Sequence, residues 1–271
     1  MKKKKIHIKW GNMLLLIIMI ISITLFIISL KEIVKWFIDS KNTKQEETSI
    51  NENINIKEIE GGENINPPEN KEDPYWDYIK MNLIDVDFTE LKKKNNDTKG
   101  WIQVKGTNIN YPFVQTSNND YYLNHSFNKK YNDAGWVFMD YRNNASNFDK
   151  NTILYAHGRL DGTMFSSLKN ILKSSWYDNK DNHIIRLSTE TENTLWQVFS
   201  VYRIPTTSDY IEINFRSDTE YLNLLNTLKE RSNFAFGTTI SEKDKILTLS
   251  TCYNDDDKVV MHAKLIKQSK R

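Results

Sequence analysis

The sequence predicts a domain that is mostly β with peripheral helices (α+β), preceded by N-terminal helices and a single transmembrane helix. Beyond Gly100, short runs rich in β-branched and aromatic residues are separated by Asn, Gly and Asp, a spacing typical of a barrel or a sandwich. Stretches with apolar residues at helical spacing interrupt these runs. A long uncharged segment near the N-terminus is the third observation.

The N-terminal segment predicts a membrane anchor. Met13 to Leu30 carries no charge, and at about 1.5 Å per residue it is long enough to cross the hydrocarbon core. The lysines before it favour a cytoplasmic N-terminus and an extracellular remainder. A cleaved signal peptide is the alternative, but its apolar region would be shorter, and no small-x-small cleavage site precedes Lys31. We therefore expect a cytoplasmic basic tail over 1–12 and an anchor over 13–38.

Residues 39–72 are expected to form a flexible linker. The segment is polar and repetitive, and it contains the breakers Gly61-Gly62 and Pro67-Pro68. Such a composition buries little apolar surface. The extracytoplasmic domain is expected to span 73–271.

Within this domain, two short helices are expected first and a series of strands afterwards. The expected helices are 74–80, 87–94, 164–172 and 219–231, the second having a polar cap before its apolar-periodic stretch. The expected strands are 101–104, 108–114, 135–139, 152–156, 183–188, 194–204, the run ending at Cys252, and 259–266.

Composition limits the classes of partner. The chain has 271 residues with 39% hydrophobic content, enough for the core of one domain of ordinary size plus accessory segments. Its net charge of +2 gives no reason to expect a nucleic-acid partner. The histidines lack metal-site spacing, and Asp255-Asp256-Asp257 lacks the alternating ligands of a calcium loop, so no metal or cofactor is expected.

Cys252 is the single cysteine of the chain and the first candidate for chemistry. It cannot form an internal disulfide, and an extracellular thiol is exposed to oxidation, so its presence suggests a use. Because side chains alternate along a strand, Cys252 shares the more polar face with Thr248 and Ser250. Residues 253–257 then form a plausible hairpin loop.

This hairpin would place Lys258 opposite Cys252. A cation there would favour the thiolate or stabilise a developing oxyanion. A solvated lysine on a strand edge is an equally good interpretation, since edge strands commonly carry Lys.

A thiol nucleophile needs a base, which is usually histidine. His157 ends an apolar, β-branched strand and precedes a glycine, an arrangement that favours a functional role. His125 is the alternative. His183 and His262 lie within expected strands and are interpreted as surface or core residues, and His7 falls on the cytoplasmic side.

Together these segments resemble the class B sortases, a family of cysteine transpeptidases. Thr248 to Cys252 is similar to the family's Thr-Leu-x-Thr-Cys signature, in which the cysteine ends a strand. Further segments that resemble the family are Gly135 to Arg142, Ile153 to Gly158, Asp161 to Phe165 and the helix near 219–231. The resemblance covers about Asp73 to Lys267 in consistent order.

The resemblance implies a sortase-type eight-stranded β-barrel. By position in the motifs, it makes Cys252 the nucleophile and His157, rather than His125, the catalytic histidine. Ser250 and Thr251, beside the nucleophile in the signature, are expected to bind substrate.

The third catalytic residue of the family is an arginine, and this chain departs from the pattern there. Five residues before Ala263, at the arginine's position, stands Lys258. Arginine holds two oxygens in a rigid fork, whereas lysine is a point charge on a flexible stem. Lys258 would therefore orient substrate less firmly, and Arg203 or another arginine on a strand is an alternative cation.

The implied activity is that of a membrane-anchored cysteine transpeptidase. It would cleave a C-terminal sorting signal of the Asn-Pro-x-Thr or Leu-Pro-x-Thr kind in secreted proteins. The thioacyl intermediate would be joined to an amine of a peptidoglycan precursor or stem peptide. The alternatives are a cell-wall cysteine hydrolase without transfer and a weakly active peptide-binding surface module.

Overall fold

The computed structural model describes residues 10–271. Most of the expected basic tail, residues 1–9, lies outside the described residues. The chain divides into two compact units, one ending at Asn42 and the other spanning Thr43–Arg271. Helix α1 spans Trp10–Asn53, and its apolar part has a mean hydropathy of 3.0. Within the described residues, this is the helix whose length and composition are compatible with crossing a membrane.

Residues 39–72 have more secondary structure than a flexible linker. Helix α1 continues through this polar stretch to Asn53, and two short strands follow it. Composition alone did not indicate this, because the helix is held by side-chain contacts with distant parts of the barrel. The burial of Ile50, only 3% exposed, is one sign of that packing.

Eleven strands form most of the second unit. They are β1 (Ile56–Ile59), β2 (Glu63–Asn64), β3 (Leu83–Val86), β4 (Thr98–Val104), β5 (Asn110–Val114), β6 (Phe138–Met139), β7 (Asn151–Tyr155), β8 (Ile184–Thr189), β9 (Glu192–Pro205), β10 (Ile246–Cys252) and β11 (Asp257–Lys270). The helices after α1 are α2 (Tyr75–Tyr78), α3 (Thr89–Lys94), α4 (Ser174–Tyr177) and α5 (Asp218–Glu230), with 3₁₀ turns at Tyr121–Leu123, Ser166–Leu172, Lys180–Asn182 and Asp209–Ile211.

Strands β4 to β11 close into a barrel. Their order is β10-β7-β6-β5-β4-β8-β9-β11, and β11 pairs back with β10. Strand β2 extends the edge of β11, while β1 pairs with β3 in a separate two-stranded sheet. The expected eight-stranded barrel with peripheral helices is therefore confirmed, and closure leaves no barrel edge between β10 and its neighbours.

The two faces of β10 bury different side chains. Leu247 and Leu249 belong to the main hydrophobic core, together with Trp101 and Trp196. On the opposite face, Ile246 packs in a second cluster with residues of α5 and β9. This alternation is that of a strand covered on both sides. It fixes the face on which Cys252 emerges at the strand's end.

Candidate active site

Register places the ends of β7 and β10 side by side. The two strands run parallel, with Ser250 paired to Tyr155. His157 and Cys252 each lie two residues beyond that pair, so the two side chains leave adjacent strands at the same end of the barrel. The parallel pairing of β7 with β10 therefore brings His157 and Cys252 together.

The hairpin between β10 and β11 places Lys258 directly opposite Cys252. Its Nζ donates a hydrogen bond to Cys252 Sγ at 2.9 Å. The connecting turn, 253–256, is one residue shorter than expected, because β11 already begins at Asp257. The Asn254 side chain accepts a hydrogen bond from the Asp257 backbone N–H at 2.6 Å and closes this turn. The thiol and the ammonium are thus neighbours by strand register.

Arg203, the alternative cation, is engaged outside this contact. Its Nε donates to Asp257 Oδ2 at 2.8 Å. Its guanidinium also lies over the Tyr253 ring, 4.0 Å from the ring centroid. Among the described residues that line the cavity beside Cys252, Lys258 is the one lysine or arginine. The structure therefore gives the position next to the thiol to Lys258.

His157 lies on the wall of the same cavity as Cys252. Its ring Nε2 donates to the backbone carbonyl of Leu123 at 2.8 Å. This bond fixes one ring nitrogen as the donor and leaves proton exchange to Nδ1. The hydrogen bond of the ring is to Leu123 and not to Cys252 Sγ.

The other histidines have different surroundings. His125 donates from Nδ1 to the Tyr121 carbonyl at 2.8 Å and stacks on the Tyr121 ring. His183 is buried in an aromatic cluster, and burial lowers its pKa. His262 is fully buried between Tyr202 and Thr248. The cavity lining includes none of these three rings.

The cavity has a volume of about 360 Å³ and a largely apolar wall. Its lining includes the sequence-predicted residues His157, Ser250, Thr251, Cys252 and Lys258. Apolar lining comes from Leu123, Phe138 and Ile211. A cleft of this kind, with a thiol on its wall, is the usual form of a ligand-binding site.

Ser250 and Thr251 line the cavity, but their hydroxyls already have protein partners. Ser250 Oγ lies 2.9 Å from the hydroxyl of Tyr210. Thr251 Oγ1 donates to the carbonyl of Ala156 at 2.8 Å, which ties β10 to the segment carrying His157. Both side chains are buried. Their geometry favours shaping of the cavity wall over direct hydrogen bonding to a ligand.

Gly158 has a structural role that the sequence did not reveal, since there it was noted only as the residue that follows His157. A Cβ at this position would lie 2.3 Å from the carbonyl oxygen of Cys252 and 3.1 Å from Thr251 Oγ1. Real Cβ atoms are not found this close to backbone oxygens, so the two strand ends approach each other only because residue 158 is glycine.

Asp140 organises another wall of the cavity, and sequence reasoning did not single it out. Its carboxylate accepts hydrogen bonds from Arg142 Nε at 2.8 Å, Asn119 Nδ2 at 3.1 Å and Tyr155 OH at 3.0 Å. Burial alone would raise the pKa of Asp140, but the hydrogen bonds from Arg142 and Asn119 outweigh it and hold the pKa below its usual value. The sequence offered one indication of its importance, because Asp140 lies in the segment Gly135 to Arg142 that resembles the family.

Comparisons with known proteins cover the same part of the chain. Residues 102–266 match the Sortase domain family. Sortase B of Staphylococcus aureus is 39% identical over 186 residues, covering 67% of this chain and 75% of the relative. Sortase B of Listeria monocytogenes is 35% identical over 188 residues, covering 66% and 74%. The solved Staphylococcus aureus sortase B–substrate complex has a TM-score of 0.62 at 38% identity, covering 66% of this chain and 84% of that chain.

Proposed function

The chain belongs to the sortase family of cysteine transpeptidases, with sortase B relatives, and from this premise we propose that Cys252, His157 and Lys258 carry out its reaction. The observation that carries the proposal is the 2.9 Å contact between Lys258 Nζ and Cys252 Sγ at the wall of a peptide-sized cavity. His157 shares that wall.

In the first step, the Cys252 thiolate attacks the carbonyl carbon of the threonine in a sorting signal. A bond forms between sulfur and carbon, and the carbonyl oxygen takes the negative charge. Lys258 is positioned to stabilise first the thiolate and then this oxyanion, because both develop within reach of its ammonium. A charge-assisted contact in a partly desolvated cavity contributes more than the same contact in water.

His157 serves the leaving group. With Nε2 donating to Leu123, Nδ1 is the nitrogen that carries the proton to the departing amine. The carbon–nitrogen bond breaks, the C-terminal fragment leaves as a neutral amine, and a thioester remains on Cys252.

In the second step, an acceptor amine resolves the thioester. The amine nitrogen attacks the thioester carbon, His157 takes its proton, and the sulfur leaves as the thiolate that Lys258 again stabilises. We place the acceptor amine on a peptidoglycan precursor or stem peptide. Helix α1 would anchor the enzyme in the cell membrane, where secreted substrates and wall precursors meet.

The donor is proposed to be a secreted protein with a C-terminal signal of the Asn-Pro-x-Thr or Leu-Pro-x-Thr kind. The cavity beside Cys252 has both apolar and polar lining, which supports a short peptide that, like these signals, carries residues of both kinds. A similar Staphylococcus aureus sortase B has been solved as a complex with substrate, which supports a peptide at the matching place in this chain.

The test uses the full-length protein in detergent micelles with a library of signal peptides, with and without an amine acceptor. Mass spectrometry should detect an acyl adduct on Cys252 and a transfer product that requires the amine. Cleavage that persists in Cys252→Ala would refute the proposal. Cleavage without any transfer to amines would favour a hydrolase instead.

A further inference from the structure

Residues 43–53 of α1 belong to the second unit and pack against the rest of that unit along one face. The residues of this face recur at intervals of three and four, as expected for one side of a helix. They are Thr43, Glu46, Glu47, Ile50 and Asn51. The face is unusually polar for a docking surface, so its hydrogen bonds determine what it touches.

Three of these bonds reach loops and strands of the second unit. Thr43 Oγ1 accepts from Asn132 Nδ2 at 3.0 Å. Glu46 accepts from the backbone N–H of Asn128 at 2.6 Å. Asn51 accepts from a side-chain amide on β5 at 3.2 Å. These contacts hold the helix in place, but their partners do not line the cavity beside Cys252.

Glu47 makes the contact that connects the helix with the loop following His157. Its carboxylate accepts a hydrogen bond from the Tyr111 hydroxyl at 3.0 Å. The same hydroxyl accepts a bond from the backbone N–H of Met164 at 3.1 Å. Tyr111 is fully buried, and burial raises the pKa of Glu47, as expected for a carboxyl group removed from water.

Met164 closes the loop that begins at His157. It forms an isolated β-bridge with Gly158, and the next backbone N–H, of Phe165, donates to the His157 carbonyl at 3.0 Å. Met164 has φ +57°, a left-handed conformation that costs a non-glycine residue about 1 kcal/mol or more. Such a backbone persists only where neighbours hold it, and the Tyr111 hydroxyl supplies one of the holding bonds.

We propose that Glu47 and Tyr111 are positioning residues for His157, acting through the backbone of Met164. The helix that follows the apolar segment thereby contributes to the reaction without touching substrate. The inference rests on the proposed role of His157. A purely structural role for Glu47 would lower stability alone, whereas a positioning role lowers the catalytic rate in the folded enzyme.

The experiment compares Glu47→Ala, Glu47→Gln and the control Glu52→Ala in the full-length protein in detergent micelles. Glu52 lies on the exposed side of the same helix. Glutamine keeps an oxygen that can accept from Tyr111, so Glu47→Gln should behave as the native protein does. Tyr111→Phe removes both bonds of the hydroxyl with little change of volume and serves as the second variant.

Two quantities are measured, the hydrogen exchange of residues 157–165 and the kinetics of acylation by a signal peptide. In Glu47→Ala and Tyr111→Phe, exchange at Met164 should rise and kcat should fall by about tenfold, the value of one net hydrogen bond. KM and the rate of Cys252 alkylation should stay within about twofold, because the hairpin is untouched.

Unchanged exchange in both variants would refute the connection from Glu47 to the loop, whatever the activity. Faster exchange with native kcat would refute the positioning role. A native protein that leaves every signal peptide uncleaved would instead refute the proposed function, and the exchange result would still decide whether Glu47 holds the loop.

Discussion

Lys258 Nζ and Cys252 Sγ are 2.9 Å apart because their backbones are paired across a hairpin. The contact does not depend on a long loop folding back over the cavity. A side chain at position 258 can therefore act on the thiol with little conformational adjustment.

Replacing Lys258 with methionine keeps the length of the side chain and removes its charge. We expect the rate of thioester formation on Cys252 to fall by about a hundredfold or more, as for loss of one oxyanion donor. Lys258→Arg should stay within about tenfold of the native rate, since it retains the cation. Single-turnover acylation followed by mass spectrometry measures both. A methionine variant as fast as the native enzyme would contradict a role for the ammonium.

Gly158→Ala should disturb both strand ends at once. The added Cβ would meet the Cys252 carbonyl oxygen at 2.3 Å, and this oxygen belongs to the backbone and cannot swing away. We expect destabilisation of about 1–3 kcal/mol from overpacking and a large loss of acylation. Gly11→Ala, where nothing lies within 4 Å of the new Cβ, is the control. Native stability and activity in the Gly158 variant would show that the strand ends can separate without cost.

Asp140→Asn should loosen the cavity wall formed by Asn119 and Tyr155. The variant removes the charge that holds Arg142 and replaces one acceptor oxygen with an NH2 group, so some of these donors face another donor. Breaking a buried ion pair typically costs about 3 kcal/mol, so the thermal midpoint should drop clearly and KM for signal peptides should rise. Asp178→Asn, at an exposed carboxylate, serves as the control. Equal midpoints in the two variants would contradict the organising role of Asp140.

His262 should make the fold sensitive to acid. Burial, together with the charge of Arg231, lowers its pKa to about 3 from the ordinary 6.5. As pH falls below 6.5, the unfolded chain binds a proton that the folded protein does not, so stability is lost by about 1.4 kcal/mol per pH unit. The loss ends near the folded pKa, and the contribution is complete above pH 6.5.

The comparison is with His262→Gln, which does not titrate and can still bond Tyr202 and Thr248. Between pH 7 and pH 5 the native protein should lose about 2 kcal/mol more than the variant. Urea unfolding at the two pH values measures the difference. Identical pH dependence in the two proteins would mean that His262 is not responsible.

Much of the site could be predicted from local sequence. The alternation along Thr248 to Cys252 and the short connection to Lys258 were enough to place thiol and ammonium opposite each other, because a hairpin is a local structure. His157 stood out because it ends an apolar strand before a glycine. The parallel pairing of β7 with β10, which joins these two pieces, is a long-range contact that local patterns do not encode.

The features that could not be predicted also depend on long-range contacts. The polar composition of residues 43–53 predicts a flexible segment, yet they form a helix whose polar face is matched by side chains and an N–H group elsewhere in the second unit. Tertiary contacts override composition in such a segment. Asp140 was not identified for the same reason. Its carboxylate accepts hydrogen bonds from Arg142, Asn119 and Tyr155, and two of these donors are distant in sequence.

The turn of residues 253–256 has a consequence for how such an enzyme can evolve. The thiol of Cys252 and the ammonium of Lys258 are both encoded within residues 252–258, so their contact is inherited as one short block of sequence. A residue gained or lost in the turn must be absorbed by the turn itself, because a slip of one residue in the pairing of β10 with β11 would turn the partner of Cys252 to the other side of the sheet. Insertions and deletions at this point are therefore under selection from the chemistry itself, in a region where surface loops usually vary freely in length.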